Sequence, residues 1–208
     1  MPQGGEVHPC VGFWMGYFRC ILRSRLSLLF VLGDADEPPP APGAEGAGCG
    51  LVTEMFSCLE ATLEEDAAAL AFPGLRQVFM LNNTHAITRH AAGSGLRHLL
   101  PAEWLRIREE RIEGYIKCYM DKSWAPVVSR LDGGRIKQHA RRRSQLSAFY
   151  AAFENACSAQ KCWKVPDPTL REALRQAMSE YVVPAHRRYL EDHSEVEAAP
   201  GPDAARRS

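Results

Sequence analysis

The stretch 163-WKVPDPTLREALRQAMSEYVVPAHRRYL-190 decides the fold, because helix-forming runs alternate in it with rigid proline breaks. Asp167 is a good N-cap, and Pro168 suits the first helical position, where its missing N–H costs nothing. A proline inside a helix costs about 3 kcal/mol unless a kink absorbs it. Pro184 is therefore expected to kink or end this helix, with a last short helix after it. The pattern indicates packed helices and is one that no known chemistry requires.

The rest of the chain repeats this alternation of helical runs with Pro or Gly breaks. Apolar residues recur at the helical spacing of three and four, and no segment keeps the two-residue period of a strand over a useful length. We therefore predict an all-α fold, an elongated up-down helical bundle or rod with no sheet. The helices predicted before the proline breaks span residues 8–32, 51–70, 73–90, 101–124 and 135–163.

Composition divides the chain into four segments. Residues 33–50 form a predicted linker, because their Pro-rich centre cannot pack and their acidic character keeps them solvated. A first helix is expected over residues 1–32, and a helical bundle over residues 51–193. The polar residues 194–208, which contain Pro and Gly, are expected to form a disordered tail.

Charge and cysteine usage narrow the class of protein. The 208 residues have a formal net charge of zero, which favours no charged partner. Seven cysteines at irregular spacings, without a CxxC motif, indicate reduced thiols and no zinc site. Arg19, Arg23 and Arg25 interrupt the apolar run from Val11 to Leu32. Each would cost about 2.5–3.5 kcal/mol at a bilayer centre, so this run is predicted to be an amphipathic core helix.

The histidines, cysteines and glycines lack the spacing that catalytic or ligand-binding motifs need. His85 and His90 are five residues apart and do not share a helical face as an HExxH pair does. Cys157 and Cys162 lie among small and apolar residues, where a free cysteine acts as a small hydrophobe. The run 93–95, Gly-Ser-Gly, matches no phosphate-binding loop. We therefore predict no enzyme activity, no cofactor and no metal.

Two adjacent asparagines interrupt a strong helical pattern. Asn82 and Asn83 are poor helix formers, because their side chains compete for backbone hydrogen bonds. Their position suggests a polar contact across the bundle or to a neighbouring loop. A structural hydrogen-bond network is the interpretation we favour.

A basic cluster follows the Gly133-Gly134 loop and is the best candidate binding surface. A solvated helix face is its simplest interpretation, and anionic lipid headgroups and nucleic-acid phosphates are the alternatives. Zero net charge and the absence of a known nucleic-acid-binding motif weigh against nucleic acid. The cluster comprises Arg135, Lys137, His139, Arg141, Arg142 and Arg143.

A series of short motifs extends over about residues 7 to 190, in a fixed order. They are Val7-His8-Pro9, Leu59-Glu60-Ala61, Val78-Phe79-Met80-Leu81-Asn82-Asn83, Leu99-Leu100 with Trp104, Ser123-Trp124 and the stretch from Trp163 to Leu190. Their order and spacing resemble the C-terminal helical region of the seventy-kilodalton subunit of the exocyst, in its expanded plant form. The stretch from Trp163 to Leu190 is the closest part.

The resemblance implies a rod of stacked helical bundles with no catalytic site. It implies a cytoplasmic protein, peripheral at the plasma membrane, that tethers secretory vesicles there during exocytosis. The partners it implies are other exocyst subunits, a Rho-type small GTPase and membranes that contain phosphatidylinositol bisphosphate. The alternative is a truncated soluble interaction module that binds exocyst partners without tethering.

The resemblance and the basic cluster together select two sets of residues. The expected lipid-binding residues are Arg135, Lys137, Arg141, Arg142, Arg143, Arg187 and Arg188. The expected structural signature is Asn82, Asn83, Trp163, Pro166, Asp167, Pro168 and Pro184.

Overall fold

The computed structural model describes residues 3–24, 47–132 and 139–194, with side chains except at 47–49, 139–142 and 193–194. Every regular element in these ranges is helical, which confirms the all-α prediction. The α-helices are α1 Pro9–Arg23, α2 Ala47–Ala68, α3 Pro73–Ala92, α4 Glu103–Ser123, α5 Ala125–Val128, α6 His139–Gln160 and α7 Pro168–Ser194. Short 3-10 helices occupy Gly95–Leu99 and Ser129–Leu131.

The chain divides into two compact units. The first unit comprises Met1–Tyr119 and Cys162–Leu170, and the second comprises Met120–Lys161 and Arg171–Ser208. The predicted tail, residues 194–208, lies outside the described residues after Ser194, as does the predicted linker up to residue 46. The domain boundaries expected from the sequence stay a prediction.

Aromatic stacking organises the core of the first unit. Phe56 of α2 is fully buried, 4.2 Å from the ring of Phe18 and 4.8 Å from the ring of Trp104, centroid to centroid. These three rings join α1, α2 and α4. Aliphatic side chains from α1, α2, α3 and the first 3-10 helix complete the same cluster. Since each buried aromatic ring removes a large apolar area from water, this cluster is the main source of stability in the unit.

The second unit packs α5 and α6 together, and α7 lies beside α6. Trp124 and Phe153 are 5.5 Å apart between ring centroids. Tyr189 donates a hydrogen bond to Gln145 at 3.2 Å, and Tyr150 Oη lies 3.1 Å from His186 Nε2. Since residue numbers rise along α6 as they fall along α7 in these pairs, the two helices are antiparallel neighbours.

The predicted bounds of the two helices on either side of the linker differ from those in the structure. The first helix was predicted to reach Leu32, but it ends at Arg23. The backbone N–H of Ser24 donates to the carbonyl of Cys20 and closes the last turn there. Helix α2 begins at Ala47, inside the predicted linker. Glycine costs a helix up to about 1 kcal/mol relative to alanine, and burial of Val52 and Phe56 in the next turns offsets this cost.

Pro184 does not end its helix, since α7 continues through it to Ser194. The expected short final helix is therefore part of α7. A proline at this position leaves the carbonyl of Glu180 without its helical hydrogen bond. Both Pro184 and Glu180 are exposed, so water can bond this carbonyl and the cost of the interruption is reduced. The break expected near Pro126 is present, because α4 ends at Ser123 and α5 begins at Ala125.

The aromatic core gives a direct stability prediction. Phe56→Ala should lower the free energy of unfolding by about 3–5 kcal/mol, because it removes a buried ring and leaves a cavity. Urea unfolding followed by circular dichroism measures the change. Phe13→Ala is the matched control, because the Phe13 side chain is 74% exposed. Equal losses in the two variants would contradict the role assigned to the ring stack.

Candidate functional site

The two asparagines of α3 are buried and bind two distant backbone segments. Asn82 Nδ2 donates to the carbonyls of Gly5, at 2.7 Å, and Lys164, at 2.8 Å. Asn83 Oδ1 accepts from the backbone N–H of His8 at 2.7 Å. The expected contact to a neighbouring loop is thus present, and it is made to main-chain groups.

The second amide is anchored within its own helix. Asn83 Nδ2 donates to the carbonyl of Phe79 at 2.7 Å and to that of Glu6 at 3.4 Å. The bond to Phe79 lies within α3 and fixes the orientation of the Asn83 side chain. Its oxygen is therefore directed at the segment before α1, which supplies the N–H of His8.

Residues 4–6 and 164 also bind each other directly. The backbone N–H of Lys164 donates to the carbonyl of Gly4 at 2.8 Å, and Lys164 Nζ lies 2.6 Å from Glu6 Oε1. The hydrogen bond from Lys164 lowers the pKa of Glu6, and the same bond raises the pKa of Lys164. Gly5 between these contacts has a φ of 81°, a conformation that favours glycine.

Within the first unit, Asp167 links the first turn of α7 to α3. Its Oδ1 accepts from the backbone N–H groups of Thr169 and Leu170, which confirms it as the N-cap of α7. Its Oδ2 accepts from Arg89 Nη1 at 2.7 Å and lies 3.9 Å from His85 Nδ1. Burial would raise the pKa of Asp167, but hydrogen bonds from Leu170 and Thr169 and the charges of His85 and Arg89 lower it overall.

Three further signature positions, Trp163, Pro166 and Pro168, lie in the same unit, whereas Pro184 lies on α7 in the second unit. Trp163 is partly buried and packs against the core of the first unit, 6.3 Å from Phe72 and 6.5 Å from Tyr119 between ring centroids. It follows α6 in sequence and is not part of that helix, which was predicted to reach it but ends at Gln160. Pro166 and Pro168 flank Asp167 and hold the turn that enters α7.

A buried ion cluster that the sequence did not suggest links α2 to α4. Arg108 donates two hydrogen bonds to Glu60, at 2.9 and 3.0 Å, and Arg111 donates a third to Glu60 at 2.9 Å. The guanidinium of Arg108 also lies 4.0 Å from the ring centroid of Trp104. Burial lowers the pKa of Arg108, and the Glu60 carboxylate opposes this shift. The only sequence signal was a charged residue on a face that is otherwise apolar.

The expected lipid-binding residues are only partly described. Arg135 and Lys137 lie outside the described residues, and Arg141 and Arg142 belong to α6 without described side chains. Arg143 on α6 is exposed.

Arg187 and Arg188 are exposed on α7, and Arg188 Nε lies 3.9 Å from Asp192 Oδ2. The contact between Gln145 and Tyr189 sets the register of the two helices. It places Arg143 on the same end of the α6–α7 pair as these two arginines.

Metal ligands and membrane spans are two further features by which a site could be recognised. Among the described residues, no group of three or more His, Cys, Asp or Glu side chains could hold a metal ion. No helix in the described part of the chain is both long enough and apolar enough to cross a membrane.

Comparison with known proteins gives consistent similarities. The family model for the C-terminal part of the "Exo70 exocyst complex subunit" matches residues 1–203. The chain is 28% identical over 190 residues to Exocyst complex component EXO70B2 of Arabidopsis thaliana, covering 90% of this chain and 31% of that protein. It is 26% identical over 196 residues to EXO70B1 of the same plant, covering 90% of this chain and 30% of that protein. The chain thus spans about a third of the length of these relatives.

A solved structure is similar as well. Exo70 of S. cerevisiae superposes with a TM-score of 0.71 at 17% sequence identity, covering 94% of this chain and 43% of the yeast chain. This likeness shows a shared all-α fold.

The asparagine network predicts a loss of stability when its acceptor is removed. Asn83→Leu leaves the backbone N–H of His8 without its partner, and an unsatisfied buried donor costs about 1–3 kcal/mol. We expect a loss of that size in urea unfolding, with faster hydrogen exchange at the His8 amide. Asn155→Leu, the same substitution at an exposed position of α6, is the matched control. Unchanged exchange at His8 in a folded Asn83→Leu variant would contradict the assignment.

His85 predicts a pH dependence of stability. Burial lowers the pKa of His85 in the folded state, against the opposing charge of Asp167. The unfolded chain, with a histidine pKa of about 6.5, therefore binds more protons, and stability falls as the pH drops through that value. The decrease in free energy of unfolding between about pH 7.5 and about pH 5.5, a range that spans this pKa, should be smaller in His85→Gln. His90→Gln, at an exposed position on the same helix, is the control, and an equal effect of both variants would refute the assignment.

Proposed function

The chain belongs to the Exo70 family of exocyst subunits, and from this premise we propose that it is a component of the exocyst. In this role it takes part in tethering secretory vesicles to the plasma membrane during exocytosis. The match of the family model to residues 1–203 is the observation that carries the proposal. The names of the Arabidopsis relatives, exocyst complex components, support it.

We propose a non-enzymatic mechanism in which the protein acts by presenting surfaces. The packed aromatic core and the buried Glu60–Arg108 pair support this, since they hold helices in fixed positions. Other exocyst subunits are the primary proposed partners, and a Rho-type small GTPase is a further one. The proposed location is cytoplasmic, at the periphery of the plasma membrane.

Direct contact with phosphoinositide headgroups is the finer part of the proposal. Arg143, Arg187 and Arg188 support it, because all three are exposed on neighbouring helices of the second unit. A basic residue near an anionic membrane surface contributes about 1 kcal/mol. Three of them together give roughly a hundredfold enrichment at the membrane. A membrane affinity of this size is too weak for a stable tether, so we propose that simultaneous binding to partner subunits increases it.

The alternative function is a soluble interaction module that binds exocyst partners without tethering. Phe13 and Tyr17 favour it, since both rings are more than half exposed on one face of α1, and exposed apolar patches mark protein contacts. The carboxylate of Asp192 near Arg188 also reduces the positive potential available to a lipid surface.

Sedimentation with liposomes tests lipid contact. Salt-sensitive binding to vesicles that contain phosphatidylinositol bisphosphate is expected, and Arg143→Ala/Arg187→Ala/Arg188→Ala should weaken it about a hundredfold at low salt. The control Arg106→Ala/Arg130→Ala/Arg175→Ala makes the same change in net charge at other exposed sites. Equal weakening of binding in both triple variants would show that binding depends on net charge and not on these three arginines. Absence of binding by a folded protein would exclude direct lipid contact and favour the interaction module.

A further inference from the structure

A groove of about 450 Å³ opens beside α3 in the first unit. Its lining comes from α3, from Val7 before α1, and from the turn Pro166–Pro168 that enters α7. Ligand pockets in proteins have volumes of about 300–1,000 Å³, so the groove can hold a small ligand or a few residues of a peptide. It does not overlap the arginines proposed above for lipid contact.

One residue that lines the groove has a buried hydrogen-bond acceptor with no partner in the described structure. Asn82 lines the groove and is 2% exposed, and its Oδ1 has no hydrogen bond within the described structure. The orientation of the amide is fixed, because exchanging its oxygen and nitrogen would set the oxygen against the carbonyls of Gly5 and Lys164. A buried acceptor without a partner is unfavourable. The site therefore favours a ligand that brings an N–H donor.

A cation lies at the other end of the groove. Arg89 is seven residues after Asn82, so it lies on the same face of α3, about 10.5 Å along the helix axis. Its side chain is 70% exposed, and of its five N–H donors the bond to Asp167 uses one. Asp167 is itself bonded by two backbone N–H groups at the positive end of α7, which reduces its repulsion of a second carboxylate.

Apolar side chains make up part of the lining. Val7, Ala86, Pro166 and Pro168 offer no hydrogen-bonding side chain, and His85 and His90 of α3 line the groove beside them. An extended peptide rises about 3.3 Å per residue, so about three residues span the distance between the acceptor and the cation. We propose that the groove binds a short acidic peptide in extended conformation, whose backbone N–H donates to Asn82 Oδ1 and whose carboxylate, about three residues away, pairs with Arg89.

A short synthetic peptide tests this binding site. Acetyl-Ala-Ala-Ala-Asp-amide is titrated to millimolar concentration into the full ¹⁵N-labelled chain, and changes in backbone amide shifts are followed. Saturable changes are expected near Asn82, His85, Arg89 and Asp167. The same peptide ending in Asn should bind about tenfold more weakly, because it lacks the carboxylate for Arg89.

Variants of the protein separate the proposed groove from general charge attraction. Arg89→Gln should weaken binding of the Asp peptide about tenfold and abolish the difference between the two peptides. Arg97→Gln, an exposed position of the same unit outside the groove lining, should leave both unchanged. Absence of saturable shifts, equal binding of the two peptides, or equal effects of the two variants would overturn the proposal. The comparison of the two peptides on the wild-type chain stands even if Arg89→Gln does not fold.

Discussion

The first unit depends on two adjacent side-chain amides buried in the middle of one helix. Asn82 and Asn83 bond the main chain at Gly5, His8 and Lys164, so two segments far apart in the sequence are fixed to α3. Each amide donates or accepts where a backbone group would otherwise be buried without a partner, which is unfavourable. The entry to α1 and the turn before α7 are positioned as a result.

The asparagine contacts, the aromatic stack and the ion cluster constrain different parts of the same unit. The rings of Phe18, Phe56 and Trp104 supply nondirectional burial, whereas the Glu60–Arg108 pair has fixed geometry and fixes the register of α2 against α4. The cost of removing both charges from water offsets much of their attraction, so a buried pair of this kind adds little to net stability.

Local signals in the sequence predicted where helices begin and end, but they did not predict contacts between residues that are far apart in the sequence. The cap at Asp167, the start at Pro73 and the break before Pro126 follow from residues within a few positions of each other. The two asparagines in a helical pattern predicted a polar contact, but the sequence did not identify Gly5 and Lys164 as its partners. Glu60 and Arg108 are 48 positions apart, and only the packing of the helices brings them together. The continuation of α7 through Pro184 could not be predicted from neighbouring residues, because exposure of the surroundings, which lowers the cost of the proline, is a tertiary property.

The order of the chain through the two units has a consequence for biosynthesis. The first unit needs Cys162–Leu170, which follow residues 120–161 of the second unit in the sequence. A ribosome therefore releases α1 to α3 well before Lys164 is available to Asn82. Until then Asn82 Nδ2 lacks one of its two acceptors, the carbonyl of Lys164. Trp163 is also not yet available to pack against the core of the unit. Completion of this unit therefore follows synthesis of residues 120–161, whereas its buried core residues, the last of which is Trp104, are available to pack earlier.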